Sequence, residues 1–274
     1  MPELPEVQNV CDALSRVLPG RRITGVELFS PALRTSLLPL KTAGLPGRTF
    51  TGVRRRAKYI IADLDDGRAL LIHLGMSGVI RVEDAALPRR KHEHVFILLD
   101  DGRAFRFECP RRFSLLEVHP LAGAERLPAK LHLLGVEPFS RRFSVPYMTG
   151  KAAGRSVPVK NFIMSNAVVT GIGNIYATET LFAAGIHPAR PAGQISEREW
   201  RKIIRHARRI LARAVELGGT SISDFLNVDG SEGKFARELE VYGSCGRPCP
   251  VCGTTLKTIK LGGRSSCFCP ECQK

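Results

Sequence analysis

Apolar residues recur at three- and four-residue spacing near the start of the chain. Between residues 3 and 18 they stand at Leu4, Val7, Val10, Leu14 and Val17. Side chains spaced in this way share one face of a helix, so the pattern predicts an amphipathic helix over this stretch. The Pro-Gly pair at 19–20 ends it, because proline cannot continue a helix and glycine favours its termination.

The apolar pattern changes between about residue 21 and residue 120. Short β-rich runs appear, among them "YIIADL", "ALLIHL" and "VFILLDD", at a spacing of roughly 8–12 residues. Asp66-Gly67 and Asp101-Gly102 stand between such runs, and Asp-Gly is a preferred two-residue hairpin turn. This stretch therefore predicts an antiparallel β-sandwich or barrel.

Helical spacing returns after residue 150. The runs "VPVKNFIMSN" and "IYATETLFAAG" predict two helices joined by "AVVTGIG". A capping box of Ser196 and Glu199 predicts a long arginine-rich helix that reaches about Leu217. The segment "GVEPFSRRFSVP", which precedes this region after a short helical pattern, is typical of a linker, and the glycine- and serine-rich stretch at 218–235 predicts a flexible loop.

These patterns together predict an α+β multidomain protein. We expect an N-terminal β-sandwich domain with an N-terminal helix at 1–130 and a linker or hinge at 131–150. A helical domain follows at 151–236, and a cysteine-rich element completes the chain at 237–274.

The charge balance indicates the kind of partner that the chain binds. Lysine and arginine number 41 against 26 aspartate and glutamate residues, which gives a net charge of +15 and a pI near 9.9. Such an excess favours a polyanion, and nucleic acid is favoured over a membrane surface because the charge is spread through the chain. No apolar run approaches about 18 residues and no signal-peptide pattern opens the chain, so we expect a cytoplasmic protein with no membrane partner.

The cysteines are concentrated near the C-terminus, where six of the eight lie between Cys245 and Cys272. Two Cys-x-x-Cys pairs separated by sixteen residues match a closed four-thiolate zinc site and predict one structural Zn²⁺, with a disulfide pair as the alternative. The predicted ligands are Cys249, Cys252, Cys269 and Cys272. Cys267 alternates with Cys269 along a predicted β-hairpin and should point away from the metal. Arg264, beside the hairpin turn, is placed to reach a DNA phosphate.

The opening "MPELPEV" allows two interpretations. Glu3 and Glu6 suit the first turn of a helix, where the macrodipole favours negative charge. Alternatively, removal of Met1 leaves Pro2 as a free secondary amine with two acid/base groups beside it. The N-terminus alone does not decide between a helix start and a catalytic amine.

Several motifs recur in a fixed order along the chain. They are "PELPEV" at the start, "RRAKYI" around Lys58, "IHLGMSG" around Met76, "PRRF" at 110–113, "TGIGNIYATETLFAAGIHP" at 170–188 and the Cys-x-x-Cys pairs. In this order they resemble bacterial formamidopyrimidine-DNA glycosylases, the Fpg branch of the Fpg/Nei family. The match runs nearly end to end, and Leu4 favours the Fpg branch, since the Nei branch usually has glycine there. The resemblance implies a helix–two-turns–helix element in the helical domain and a four-cysteine β-hairpin zinc finger at 237–274.

The resemblance implies a bifunctional glycosylase and AP lyase of base excision repair that removes 8-oxoguanine and formamidopyrimidines. Pro2 would attack C1′ of the damaged nucleoside and form a Schiff base, followed by β- and δ-elimination. Glu3 would move protons, and Lys58 would lie near the lesion and its phosphate. Glu6 and Glu137 are implied in supporting positions, Glu6 orienting the N-terminus and Glu137 as a linker acid.

The implied partner is damaged double-stranded DNA, bound by a monomer. Met76, Arg111 and Phe113 match the residues that fill the space left by an everted nucleotide. Glycines 171 and 173 would let the backbone approach a phosphate, and Asn174 stands at a helix N-terminus, a natural anion site. Without the resemblance, Met76 and Phe113 would be taken as core residues.

The chain departs from the family pattern at several positions. Cys109 and Ser114 replace an aspartate and a glycine in the loop that carries Arg111, a change expected to loosen that loop. Lys234 replaces an aromatic residue in the segment that covers the damaged base, which leaves the preferred lesion open. Ser244 replaces a basic residue.

Other functions stay open from the sequence. One is a Nei-like glycosylase for oxidised pyrimidines, and another is a non-catalytic DNA-binding zinc protein. A third is an RNA-binding or ribosome-associated zinc ribbon protein, against which the Pro-Glu terminus argues.

Overall fold

The computed structural model describes residues 1–123, 126–220 and 233–274. The chain divides into two compact units. The N-terminal unit combines residues 1–132 with 217–234, and the C-terminal unit combines 133–216 with 235–274. The finer four-part division of the sequence stays a prediction.

The N-terminal unit contains two α-helices and eight strands among its described residues. The helices are α1 (Leu4–Val17) and α2 (Pro39–Thr42), and the strands are β1 (Ile23–Leu28), β2 (Phe50–Arg56), β3 (Tyr59–Leu64), β4 (Arg68–His73), β5 (Val79–Asp84), β6 (Glu93–Leu99), β7 (Arg103–Glu108) and β8 (Leu115–Pro120). They form two four-stranded antiparallel sheets, ordered β1-β6-β7-β5 and β2-β3-β4-β8. The Asp-Gly turns join β3 to β4 and β6 to β7, as predicted.

One apolar core joins the two sheets. Ile72 and Leu116 from one sheet and Val95 and Phe105 from the other are at most 1% exposed and belong to one cluster. The predicted apolar face of α1 packs into the same cluster. The burial of both inner faces against one another makes the unit a β-sandwich.

The C-terminal unit contains four α-helices and one β-hairpin among its described residues. The helices are α3 (Val145–Ala152), α4 (Val159–Ile163), α5 (Asn174–Ala184) and α6 (Glu197–Glu216), and the hairpin strands are β9 (Lys257–Leu261) and β10 (Arg264–Phe268). The turn of the hairpin is formed by Gly262 and Gly263, with φ of +54° and +77°. The predicted α+β fold, with its N-terminal β-sandwich, helical region and C-terminal finger, is confirmed.

Two helix boundaries differ from the sequence pattern. α3 begins inside the segment predicted as a linker, because Pro146 is tolerated in a first helical turn and Met148 is buried there. α4 spans only part of the run "VPVKNFIMSN", since it begins after Pro158 and Met164 closes it. The capping box of α6 forms as expected, with the Glu199 carboxylate accepting from the Ser196 amide at 2.9 Å.

The described part of the chain contains no helix that is both long and apolar enough to cross a membrane. The predicted flexible loop at 218–235 falls largely on residues 221–232, which lie outside the described residues.

Candidate active site and nucleic-acid interface

The N-terminal segment is buried together with its acids. Pro2 is buried, Glu3 is 3% exposed and Glu6 is 2% exposed. The main-chain amide of Glu3 donates to Oε2 of Glu6 at 2.8 Å, which forms part of a capping box at the start of α1. Glu6 therefore performs the helix-capping task that the sequence allowed, and it fixes the backbone next to Pro2.

The second oxygen of Glu6 holds a segment more than two hundred residues away in sequence. Oε1 accepts from the main-chain amide of Thr220 at 2.8 Å and from its hydroxyl at 2.9 Å. Gly219 has a φ of +81°, and a Cβ there would lie 2.9 Å from the same oxygen. Glu6 thus ties the N-terminus to residues 217–220, a link that no sequence pattern could reveal.

Lys58 lies in the tight turn between β2 and β3, next to Ala57, whose φ is +56°. Its side chain is nearly buried, at 6% exposed. Lys58 also affects His73, the second residue of the "IHLGMSG" motif, which no sequence pattern marked as a functional residue. Burial, and then the positive charge of Lys58, lower the pKa of His73 to about 4. His73 is therefore neutral at pH 7, and its Nδ1 accepts from the Gly75 amide at 3.0 Å.

We expect His73 to make the N-terminal unit less stable in acid. An unfolded histidine binds a proton below its ordinary pKa of 6.5, whereas the folded one resists until about 4. The unfolded state then binds more protons, so the free energy of unfolding falls as the pH drops through this window, by up to about 3 kcal/mol. Urea denaturation at a series of pH values between 6.5 and about 4 measures this fall in the free energy of unfolding.

His73→Asn keeps a hydrogen-bond acceptor for the Gly75 amide and removes the titrating imidazole. The free energy of unfolding of this variant should therefore fall less between pH 6.5 and about 4 than that of the unmodified protein. His132→Asn, at an exposed histidine, is the control and should keep it. An unchanged slope in His73→Asn would contradict the assignment.

The three predicted void-filling residues lie on two adjoining loops. Met76 is 37% exposed, Phe113 is 52% exposed and Arg111 is also exposed. The Arg111 guanidinium carbon lies 5.9 Å from the centre of the Phe113 ring. Core packing is thus excluded for Met76 and Phe113, and the three side chains are available to a ligand.

The loop that carries Met76 approaches the loop that carries Phe113 so closely that position 75 requires glycine. Gly75 has a φ of +62°, and a Cβ there would lie 2.5 Å from the Phe113 carbonyl. The two departures from the family pattern meet at the same place, because Sγ of Cys109 lies 2.8 Å from the Ser114 hydroxyl. That hydroxyl also donates to the carbonyl of Leu74 at 2.8 Å. The two substituted residues therefore contact each other, and Ser114 also bonds to the adjoining loop. The expected loosening of this loop stays a prediction.

In the C-terminal unit, Glu137 and Asn174 lie near the glycine-rich turn that precedes α5. Glu137 accepts from the Thr170 hydroxyl at 3.2 Å. Asn174 is the first residue of α5, and its Oδ1 is buried with no hydrogen-bond partner among the described residues. Gly171, with a φ of +82°, shapes the turn. A helix N-terminus with a polar side chain at its first position is suited to binding an anion.

Arg264 begins β10 and is exposed. The finger that carries it is held by Lys160, a residue of α4 that no sequence motif marked as functional. The ammonium group of Lys160 donates to the Ser266 hydroxyl at 2.7 Å, and its side chain is 1% exposed. Lys160 also donates to the main-chain carbonyl of Ser265 at 3.3 Å, so it anchors the backbone next to Arg264 within the C-terminal unit.

The four predicted zinc ligands converge. The sulfur atoms of Cys249, Cys252, Cys269 and Cys272 all lie within 4.8 Å of one another. The 249–272 and 252–269 sulfur pairs are 3.9 and 3.5 Å apart. Zn–S bonds of about 2.3 Å in a tetrahedron require sulfur separations of about 3.8 Å, so these residues fit Zn²⁺. Cys267 is not among these four sulfur atoms, in line with its alternation with Cys269. It is buried in a cluster that also holds Phe182 and Leu256 together with the ligands Cys249 and Cys269.

The comparisons with known proteins agree with this geometry. Three family models match in order: the formamidopyrimidine-DNA glycosylase N-terminal domain at residues 1–116, its H2TH domain at 134–226, and the zinc finger found in FPG and IleRS at 246–274. The chain belongs to the formamidopyrimidine-DNA glycosylase family. The match at 246–274 contains the four clustered cysteines, so the predicted structural zinc is confirmed and its ligands are assigned to that cluster.

Curated family members resemble the chain over its whole length. It is 45% identical to the formamidopyrimidine-DNA glycosylase of Alcanivorax borkumensis and 46% identical to that of Stenotrophomonas maltophilia, with complete coverage of each chain. Among solved structures, a Lactococcus lactis FPG variant in complex with Fapy-dG-containing DNA has a TM-score of 0.91 at 33% identity and full coverage. The L. lactis Fpg with abasic-site DNA has a TM-score of 0.90 at 33% identity, with 99% of each chain covered.

Proposed function

We propose that this DNA glycosylase of base excision repair removes oxidised purines, 8-oxoguanine and formamidopyrimidines, from duplex DNA through a Schiff base at Pro2, and then nicks the strand. The observation that carries the proposal is the buried N-terminus, in which Pro2 lies beside two buried carboxylates. The protein acts as a monomer on damaged double-stranded DNA. Incubation with a duplex that carries 8-oxoguanine opposite cytosine should yield a nicked strand with phosphate at both ends of the gap.

The α-amine of Pro2 is the nucleophile once Met1 has been removed. Its nitrogen lone pair attacks C1′, the C1′–N bond to the base breaks, and the base leaves with a proton. The ring oxygen then leaves C1′, and an iminium forms between the proline nitrogen and that carbon. An α-amine has a reference pKa of about 8, against about 10.4 for lysine, so a larger neutral fraction is available at pH 7.

Glu3 transfers protons and Lys58 stabilises negative charge as bonds to C1′ form and break. Glu3 is adjacent to the nucleophile, and its carboxyl group gives a proton to the sugar ring oxygen as the ring opens. The same carboxylate accepts the C2′ proton in the β-elimination that expels the 3′ phosphate. Lys58, a nearly buried cation, offsets the negative charge of the phosphate and the leaving base. Glu6 is a positioning residue, because both of its oxygens are bound to the chain itself.

Base removal requires an everted nucleotide, which leaves a hole in the duplex. Phe113 stacks on the neighbouring base pair, Met76 enters the gap, and Arg111 contacts the orphaned base. Asn174 and Arg264 bind phosphates, while Glu137 supports the turn before α5 through Thr170.

Arg111 should set the preference for the opposite base. A guanidinium presents donors only, so it favours cytosine, which offers two acceptors, over adenine. Excision of 8-oxoguanine is expected to be faster opposite cytosine than opposite adenine. Arg111→Ala should lower the ratio of these two excision rates. Phe113→Ala should weaken binding to a duplex lesion by about tenfold, and less on an abasic site. Single-turnover rates and fluorescence anisotropy measure these effects.

Arg112→Asn is the matched control for charge. Arg112 neighbours both residues, and asparagine tolerates its φ of +56°. The control should keep the preference for cytosine. Equal excision rates opposite cytosine and adenine in the unmodified protein would refute the function assigned to Arg111.

A second candidate substrate class is oxidised pyrimidines. One observation favours it: the L. lactis Fpg is also known in complex with an oxidized pyrimidine containing DNA, at a TM-score of 0.89 and 33% identity. The exposed Lys234 at a position where the family has an aromatic residue points the same way. Parallel excision rates on duplexes with an oxidised purine and an oxidised pyrimidine decide between the two.

A further inference from the structure

A cavity of about 660 Å³ lies beside α6 within the C-terminal unit. Its apolar lining comes from Phe139, Phe143, Val145 and Ile204. Its polar lining consists of Ser144 and four arginines, Arg141, Arg201, Arg205 and Arg208. The function proposed above uses none of these side chains, so the cavity is a separate feature of the surface.

Arg208 fixes the wall of the cavity. Its guanidinium donates to the carbonyls of Pro138, Ser140 and Phe143 at 3.0, 2.9 and 2.9 Å. These bonds hold the segment before α3 against α6, and the Phe143 side chain below it is fully buried. Phe139 stays 46% exposed on this fixed segment. The cavity is therefore preformed, with an aromatic ring at its mouth.

The rim of the cavity is positively charged. Arg141, Arg201 and Arg205 are exposed, and no carboxylate stands among the described residues that line the cavity. α6 carries three acids, and none of them lines the cavity. Glu199 pairs with Arg190 at 2.6 Å. Glu216 pairs with Arg213 at 3.3 Å, and Glu197 is exposed at the start of the helix. The rim thus attracts a negatively charged group.

Charge and shape together select the occupant. Duplex DNA presents phosphates on a smooth cylinder and has no side chain to fill an apolar cavity. A peptide with a large apolar residue between carboxylates matches both features, because an aromatic anchor fills a groove while arginines bind carboxylates in a bidentate manner. We propose that the cavity of Phe139, Arg141, Arg201 and Arg205 is a docking site for an acidic peptide segment of a partner protein, anchored by one aromatic side chain.

Two synthetic peptides test this docking site against the full-length protein. The first is a fluorescein-labelled decapeptide of aspartate and glutamate with one central phenylalanine, and the second has serine in place of the phenylalanine. We expect the first to bind with at least about tenfold higher affinity by fluorescence anisotropy, since buried aromatic anchors dominate such interfaces. Equal binding of the two peptides would overturn the proposal, because it would show attraction by net charge alone.

Variants of the rim give the second arm. The double variant Arg201→Glu and Arg205→Glu, and separately Phe139→Ser, should each weaken binding of the phenylalanine peptide by at least about tenfold. Arg198→Glu is the matched control, because Arg198 is exposed on the same helix but does not line the cavity. Arg198→Glu should weaken binding of the phenylalanine peptide by less than about twofold more than it weakens binding of the serine peptide, because it removes only general attraction by charge.

Base excision and duplex binding complete the test. The rim variants should excise 8-oxoguanine at the rate of the unmodified protein. The double variant should lose no more affinity for undamaged duplex per reversed charge than Arg198→Glu does, and Phe139→Ser should bind duplex as the unmodified protein does. If the double variant instead lost duplex affinity far more than Arg198→Glu did per charge, the surface would belong to nucleic acid and the peptide proposal would fail. A control variant that weakened peptide binding as much as the rim variants would also refute it.

Discussion

Pro2→Gly is expected to lower the rate of 8-oxoguanine excision by more than about a hundredfold while leaving the fold intact. Glycine supplies a primary amine on a freer backbone, so the nitrogen loses both the secondary character that gives an iminium directly and the fixed geometry of the ring. The fold should survive because α1 is capped by Glu3 and Glu6, which the substitution leaves in place. Single-turnover excision and circular dichroism measure the two effects.

Borohydride trapping identifies the nucleophile. Reduction of the iminium during reaction should attach the DNA strand to residue 2, as located by peptide mass spectrometry. A chain that keeps Met1 should give no adduct, since its residue 2 nitrogen is then an amide without a basic lone pair. Pro5→Ala is the matched control: Pro5 is a buried proline of the first turn of α1, where alanine is a good helix former, so activity should stay within a few-fold. An adduct on Lys58 in the unmodified protein would contradict the assignment.

Cys252→Ser is expected to reduce the zinc content from about one ion per chain to near zero and to weaken duplex binding by at least about tenfold. The four thiolates form a closed site, so the loss of one leaves a hydroxyl that binds zinc poorly. The finger has only a two-stranded hairpin of its own, and such a hairpin is marginally stable without further support. Much of its folding free energy therefore comes from metal binding.

Cys267→Ser is the control for the zinc prediction. Cys267 lies on the same hairpin and is buried, but its sulfur is not one of the four that cluster. It should keep the full zinc content, with some loss of stability from a buried hydroxyl. Inductively coupled plasma mass spectrometry gives the metal content, and anisotropy gives the affinity. A full complement of zinc in Cys252→Ser would show that the ligand set is wrong.

Features with a local cause could be predicted from the sequence. The Asp-Gly turns, the Ser196–Glu199 box and the apolar face of α1 each depend on residues close together in the chain, and each forms as expected. The linker before α3 was less predictable. Pro146 allows either a turn or a helix start, and only the burial of Met148 favours the helix.

The candidate site was predicted in part for the same reason. The Cys-x-x-Cys spacing and the Pro-Glu terminus are short motifs whose chemistry follows from the residues themselves, so the zinc ligands and the candidate nucleophile could be named. The surroundings of these residues could not. His73 and Lys160 carry no distinctive spacing, and their importance comes from burial next to Lys58 and Ser266.

The sequence by itself determined the types of element, the metal ligands and, through its motifs, the family. Only the tertiary structure decided which apolar residues lie outside the core: Met76 and Phe113 are exposed on two loops whose backbones approach each other at Gly75. It also decided that Glu6 binds Thr220 across 214 positions of sequence. Contacts between distant segments depend on how the sheets and helices pack, and this packing free energy is shared among many side chains, so no short stretch of sequence reveals it.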